Sequence, residues 1–255
     1  MGYTPGIPFA GHRYMPSAHP HIHTGCSGFS YKEWKGLFYP KGLSPSKWFE
    51  YYCTRFDTVE LNVTFYRTPA LSTLQGWYKR SPADFRFVVK APKVVTHYMQ
   101  FRKTAVQQYD FCHLVQQGLE DKLAAILYQL PASIAFSPEA LDRILENMTP
   151  GVSNVVEFRH ASWWREEVYK ALAGAGVIFC SGSYPGLPDL VVPGGKTVYY
   201  RFHGVPKLYY SPYDDAFLRH VLDQIGHHKA LLYFNNTAEG HAIQNAVRIK
   251  ELAAQ

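Results

Sequence analysis

The sequence predicts an α/β fold, a single (β/α)8 TIM-type barrel of parallel strands, on three observations. From His21 onward, short apolar runs alternate with helical stretches, the pattern of a parallel sheet wrapped by helices. There are eight such runs in 255 residues, and a closed barrel of eight takes about 250. Polar residues collect at the carboxyl ends of the runs, where such barrels build their sites.

The eight strand candidates are His21 to Gly25, Thr58 to Asn62, Phe85 to Lys90, Ala125 to Gln129, Val155 to Phe158, Val177 to Cys180, Val198 to Phe202 and Leu231 to Asn235. Between the first two, Ser44-Pro45 reads as a helix start, with Trp48, Tyr52 and Phe56 recurring every fourth residue. Ser72 to Arg80 and Lys103 to Leu119 supply the next crossovers. Ser137-Pro138 opens another, whose apolar stripe is Leu141, Ile144, Leu145 and Met148. Trp163 to Ala173, Tyr213 to Ile225 and Ala238 to Ala253 complete the helices. The link from Ser181 to Lys196 holds Pro185, Pro188, Pro193, Gly194 and Gly195 and has no helical period, so one crossover is expected to be a loop. Residues 1–20, with four prolines and three glycines and no apolar centre, are expected to form an extended or disordered arm ahead of one domain over 21–255.

Composition excludes several classes. The chain is 47% hydrophobic and 18% charged, which is globular, and no apolar run approaches the roughly 18 residues of a membrane span. Cys26, Cys53, Cys112 and Cys180 show no metal or redox spacing and read as reduced thiols of a cytoplasmic protein. The net charge of +6 raises nucleic acid as a partner. Lys and Arg are spread rather than clustered, however, so a modestly basic enzyme fits better.

Three strand ends carry polar pairs spaced two apart: Glu60 with Asn62, Glu157 with Arg159, and Arg201 with His203. Residues two apart on a strand share a face, so each pair points one way while Leu61, Phe158 and Phe202 point the other. Burying such charges is costly unless they pair or bind something. Glu60 and Glu157 are therefore candidates for general acid and base, and the rival reading is that they only neutralise neighbouring cations. Lys90, Arg159 and Arg201 form an electropositive group suited to a carboxylate or phosphate. Against two carboxylates they leave a surplus of one, which invites a small anionic partner.

His97 and His203 are candidate proton carriers. His160 is less distinctive, and His21-Ile22-His23 lies at the amino end of its strand, away from the catalytic face. Asn62, Gln129 and Asn235 are expected to orient substrate. Trp34 and Tyr66 are candidates to stack on it, although most loop aromatics pack onto a barrel rim. No cofactor motif is evident and no residue is assigned as a metal ligand. The alternative is a divalent metal held by Glu60, Glu157 and a histidine.

Seven stretches in order resemble one family. They are Thr24-Gly25-Cys26-Ser27-Gly28-Phe29 with Trp34 to Pro40, Thr58 to Pro69, Thr96-His97, Tyr128 to Pro131, Val156 to His160 with Ser162-Trp163, Tyr200 to Gly204, and Tyr233 to Thr237. The chain is thereby similar to the YecE-like family, domain of unknown function 72, over nearly everything after His21. Cys26 and Phe29 depart from the usual first signature, and Thr237-Ala238-Glu239-Gly240 after Asn235-Asn236 departs from the last, with no charged group lost. The resemblance implies a TIM-type barrel, no settled activity and no assigned catalytic residues. Hydrolysis or isomerisation is the chemistry expected from the residues alone. A nucleotide or nucleic-acid binding module is the reading from another class.

Overall fold

The computed structural model describes residues 21–195 and 197–255; the arm expected over residues 1–20 lies outside them. Eight strands form one sheet: β1 (Ile22–Cys26), β2 (Thr58–Leu61), β3 (Arg86–Lys90), β4 (Leu123–Gln129), β5 (Asn154–Glu157), β6 (Ile178–Ser183), β7 (Thr197–Phe202) and β8 (Lys229–Phe234). Every pairing is parallel, in the order β1-β8-β7-β6-β5-β4-β3-β2. All eight expected strands are present, with ends shifted by a residue or a few.

The long-range joint is fully laddered, Ile22 to Cys26 pairing with Ala230 to Phe234. Among the described residues the joint between β1 and β2 has no ladder and is bridged by side chains. Cys26 N–H donates to Tyr52 Oη at 2.7 Å, and the Tyr52 hydroxyl donates to Thr58 O at 3.0 Å. Gly25 permits this approach, since a Cβ there would lie 2.1 Å from Thr58 O. At the other end of the same joint, Asp57 accepts from Thr24 N–H at 3.3 Å and pairs with His23 at 2.9 Å. His23 is thus occupied structurally, on the face away from the strand ends.

The helices are α1 (Trp48–Cys53), α2 (Val63–Tyr66), α3 (Leu71–Arg80), α4 (Ala105–Leu119), α5 (Pro138–Glu146), α6 (Glu166–Gly174), α7 (Asp215–Ile225) and α8 (His241–Ala253). The Ser137 hydroxyl caps α5 by accepting from Ala140 N–H, as its sequence suggests. Ser44 does not cap in this way. A short 3-10 turn over Pro45–Lys47 precedes α1, and Ser44 Oγ contacts Ser46 Oγ instead. The expected helix starting at Trp163 begins at Glu166, because Ala161–Trp163 forms a separate 3-10 turn. No helix lies between β6 and β7 among the described residues.

Two short elements were not apparent from periodicity. The four-residue α2 and a π-helical turn over Val94–Tyr98 follow β2 and β3 directly. They are too brief to show a repeating stripe, yet they set where Asn62, Tyr66 and His97 stand.

Alternation along the strands builds two apolar layers. The larger lies between sheet and helices. The smaller fills the barrel interior with Val88, Ala125, Leu127, Val155, Ile178, Cys180, Tyr199, Leu231 and Tyr233. Interior residues are two apart along β4, β6 and β8, and two residues on from Val88, Leu127, Val155 and Tyr199 the inward positions at the carboxyl ends are Lys90, Gln129, Glu157 and Arg201. Among the described residues no helix is long and apolar enough to cross a membrane.

Candidate active site

Above the tyrosine layer the interior becomes polar. Tyr233 and Thr58 share a hydroxyl contact of 2.6 Å, and the Tyr199 hydroxyl donates to Glu60 Oε2 at 2.5 Å. Ser27 Oγ donates to Glu60 Oε1 at 2.7 Å. Arg201 then joins the two carboxylates, donating through Nη2 to Glu60 Oε1 at 2.7 Å and through Nη1 to Glu157 Oε2 at 2.6 Å. Its guanidinium fills the gap between them, where the scissile bond of a glycosidase substrate would need to sit.

The other Glu157 oxygen, Oε1, takes Arg159 Nη2 at 2.9 Å and His203 Nε2 at 2.8 Å. Burial pushes the Glu157 carboxyl upward, but Arg159, Arg201 and His203 outweigh it and hold it well below the usual carboxylate range. His203 is driven the opposite way to an ordinary paired histidine. Burial first, then Arg159 and Arg201, lower it well below its ordinary value. The neutral ring therefore donates from Nε2 to Glu157, and its Nδ1 accepts from Asn235 Nδ2 at 3.0 Å. The Tyr184 ring packs against the imidazole and also lies under Arg159, whose guanidinium carbon is 4.1 Å from the ring centroid.

Lys90 belongs to no ion pair among the described residues. Its Nζ donates to Gln129 Oε1 at 2.9 Å and sits 4.1 Å from the Phe65 ring centroid. Burial, reinforced by Arg201, pushes its amine down to about 7. Phe65 also touches His97 edge-on. The His97 Nδ1 is 2.9 Å from Thr96 Oγ1, and burial followed by Lys90 lowers its pKa.

These groups surround a cavity of about 500 Å³ at the carboxyl ends of the strands. Lys90, Arg159, Arg201, Asn62, Gln129 and Asn235 line it, together with the rings of Tyr31, Tyr66, Tyr184 and Tyr209. Asn62 Oδ1 and the Nε atoms of Arg159 and Arg201 are buried without a hydrogen-bond partner. Glu60, Glu157 and His203 stand behind this wall, almost wholly buried.

Of the twelve residues proposed from sequence, the structure thus places Asn62, Tyr66, Lys90, Gln129, Arg159, Arg201 and Asn235 on the cavity, with Glu60, Glu157 and His203 supporting them. His97 stands to one side, across Phe65. Trp34 is a correction. It is fully buried, and its indole N–H donates to Thr237 O at 3.1 Å while Tyr31 packs on it, so it holds the rim rather than facing a ligand. Ser27, Tyr184 and Tyr199 were missed. Tyr199 was readable, being two residues before Arg201 on the same strand face; Tyr184 sits in the proline-rich link, where no periodicity assigns a direction.

Among the described residues, no group of three or more His, Cys, Asp or Glu side chains is arranged to hold a metal ion. The lone pairs of Glu60 and Glu157 are directed at guanidinium, hydroxyl and imidazole donors.

A family model described as "Protein of unknown function DUF72" matches residues 23–255. The chain belongs to the DUF72 family. The resemblance read from the seven motifs is therefore correct, and it extends to structure. A solved DUF72 family protein from Thermotoga maritima superimposes with a TM-score of 0.83 at 30% identity, covering 92% of this chain and 99% of that one. Among curated proteins, this DUF72 chain is 25% identical over 156 residues to the UPF0759 protein YunF of Bacillus subtilis, covering 58% of the chain and 54% of YunF. It is 29% identical over 147 residues to the UPF0759 protein YecE of Escherichia coli, covering 56% of the chain and 50% of YecE. The chain spans about half the length of the curated relatives it matches. None of these names carries an activity.

Proposed function

We propose that this DUF72 chain is an enzyme acting on a small polar anionic compound in the cavity at the carboxyl end of its barrel, by hydrolytic or isomerising chemistry. The observation that carries the reading is the character of the cavity wall. It presents Lys90, Arg159 and Arg201, and both guanidinium Nε–H groups lack an acceptor. An amine and two guanidinium groups on one wall suit a carboxylate or phosphate, whose oxygens match such donors.

In this reading the carboxylates change role. Glu157, held ionised by two arginines, orients Arg159, Arg201 and His203 instead of delivering a proton. Glu60 anchors the far side of Arg201. Asn62, Gln129 and Asn235 orient the bound compound, and Tyr66 and Tyr209 wall it from solvent. The proton carriers nearest the mouth are Lys90 and, beyond Phe65, His97. The metal arrangement is less favoured because the same carboxylate oxygens are already engaged by cationic and hydroxyl donors.

Calorimetric titration with inorganic phosphate and with small carboxylates tests the proposal. Binding is expected, and Arg159→Ala is expected to weaken it about tenfold or more, or about 1.4 kcal/mol. Absence of binding by any of these anions, or equal binding by the variant, overturns it. Elemental analysis of protein purified without chelator tests the metal alternative directly; a stoichiometric divalent ion would favour that arrangement.

A further inference from the structure

Among the described residues two lysines are buried, and they are built differently. Lys122 Nζ donates to Tyr78 O at 2.8 Å, to Ser81 O at 2.9 Å and to Ser81 Oγ at 2.9 Å. All three ammonium protons have an acceptor, which is how a structural lysine is accommodated. Lys90 has one acceptor, Gln129 Oε1, and an aromatic face, and its nitrogen borders the cavity rather than the protein interior. Glu60 and Glu157 are joined to Arg201 and act on Lys90 only through space, without a hydrogen bond or ion pair to it. A buried amine with no counter-ion, beside two arginines and open to a ligand cavity, is arranged for covalent chemistry more than for ion pairing.

We infer that Lys90 is a covalent substrate site, its side-chain nitrogen forming an imine with the carbonyl carbon of a small oxo acid whose carboxylate rests on Arg159 and Arg201. This rests on the anionic-substrate reading above and names the substrate class. The neutral amine attacks the carbonyl carbon, making a C–N bond while the carbonyl π pair moves to oxygen. Proton transfer from nitrogen to that oxygen gives a carbinolamine. One further proton, taken from solvent, lets the hydroxyl leave as water, and the nitrogen lone pair forms the C=N bond. The sum is amine, carbonyl compound and one proton giving a protonated imine and water. The resulting cation draws electrons from the adjacent carbon, which loosens a C–H bond there and suits isomerising chemistry.

The environment also supplies reactive amine. With its pKa near 7, Lys90 is about half neutral at pH 7, whereas an ordinary lysine is neutral at roughly one part in a few thousand. Lower basicity reduces intrinsic nucleophilicity, so the net advantage over surface lysines is expected to be on the order of a hundredfold.

The experiment is reductive trapping. The full chain is incubated with pyruvate or glyoxylate and cyanoborohydride, digested, and each lysine scored by mass spectrometry. The expected result is one reduced adduct on Lys90, formed on the order of a hundredfold faster than on any other lysine. Its rate should rise with pH through about 7, as the amine loses its proton. Lys90→Arg, checked for folding by circular dichroism, should abolish the adduct, and Arg159→Ala should slow it. Adducts spread evenly over the lysines would overturn the inference. So would an unlabelled Lys90 in protein that binds either acid by calorimetry, and that outcome leaves the anion reading standing. If neither oxo acid binds or labels while phosphate does, the oxo-acid class is wrong and the anion reading again survives.

Discussion

Replacing His203 with Gln perturbs the site through a single titration. The His203 ring is buried and neutral, with Arg159 and Arg201 beside it opposing protonation, so its folded value lies well below the ordinary 6.5. In the unfolded chain the same ring takes up a proton near pH 6.5. Below that pH the unfolded state binds more protons than the folded one, so stability falls as pH falls; above it the contribution is fully present. By pH 5.5 the loss for one such group is about 1.4 kcal/mol relative to pH 8. Glutamine keeps an amide donor for Glu157 and cannot titrate. The assay is urea denaturation of both proteins from pH 8 to 5.5, reading the midpoint and slope at each pH. Every other titrating group is common to the two chains and cancels in the difference. Whatever the constant cost of the substitution, the gap between wild type and variant should shift by about 1.4 kcal/mol in favour of the variant by pH 5.5. A gap that does not move with pH would refute the neutral, arginine-flanked histidine.

Four further outcomes follow from the geometry. Tyr52→Phe removes the hydroxyl that serves Cys26 N–H and Thr58 O, and should cost about 1–3 kcal/mol for each buried group left unpaired, measured by urea denaturation. Gly25→Ala drives a methyl group into Thr58 O and should destabilise by several kcal/mol or prevent soluble expression; a stable alanine variant would contradict the tight β1–β2 approach. Lys122→Met should lose about 1.5–3 kcal/mol with its three acceptors stranded. Lys90→Met should match or exceed wild-type stability at pH 6, where the depressed amine disfavours folding, and the gain should fade as pH rises through 7 toward 10.5. Equal losses for the two lysines would remove the distinction between them.

The fold was readable because each strand is a short apolar run and most crossovers carry a stripe every three or four residues. The proline-rich link after β6 was readable for the opposite reason, since it has no stripe. The inward pairs were readable from alternation alone: Glu60, Glu157, Arg201 and His203 all stand where a period of two puts them. What alternation lacks is the third dimension. That one guanidinium would fill the space between Glu60 and Glu157 depends on how the barrel brings β2, β5 and β7 to the same height, and residues 60 and 201 share no local pattern. Trp34 was misplaced for a related reason. A tryptophan in a βα loop signals a ring without saying which way it faces, and here its N–H is spent on a carbonyl from the loop after β8.

The unladdered joint has a consequence for how the barrel assembles. Chain entropy makes the two ways of meeting β1 unequal. His23 lies 208 residues from Leu231, its partner on β8, while Thr24 lies 34 residues from Thr58. Loop closure scaling puts the longer closure about 1.6 kcal/mol above the shorter one. The distant, costlier meeting has the regular backbone ladder, and the nearby, cheaper one is left to side chains, Tyr52 and Asp57 among them. The barrel is thus closed most firmly where the chain itself offers least help, and amide exchange at Cys26 reports the weaker of its two fastenings.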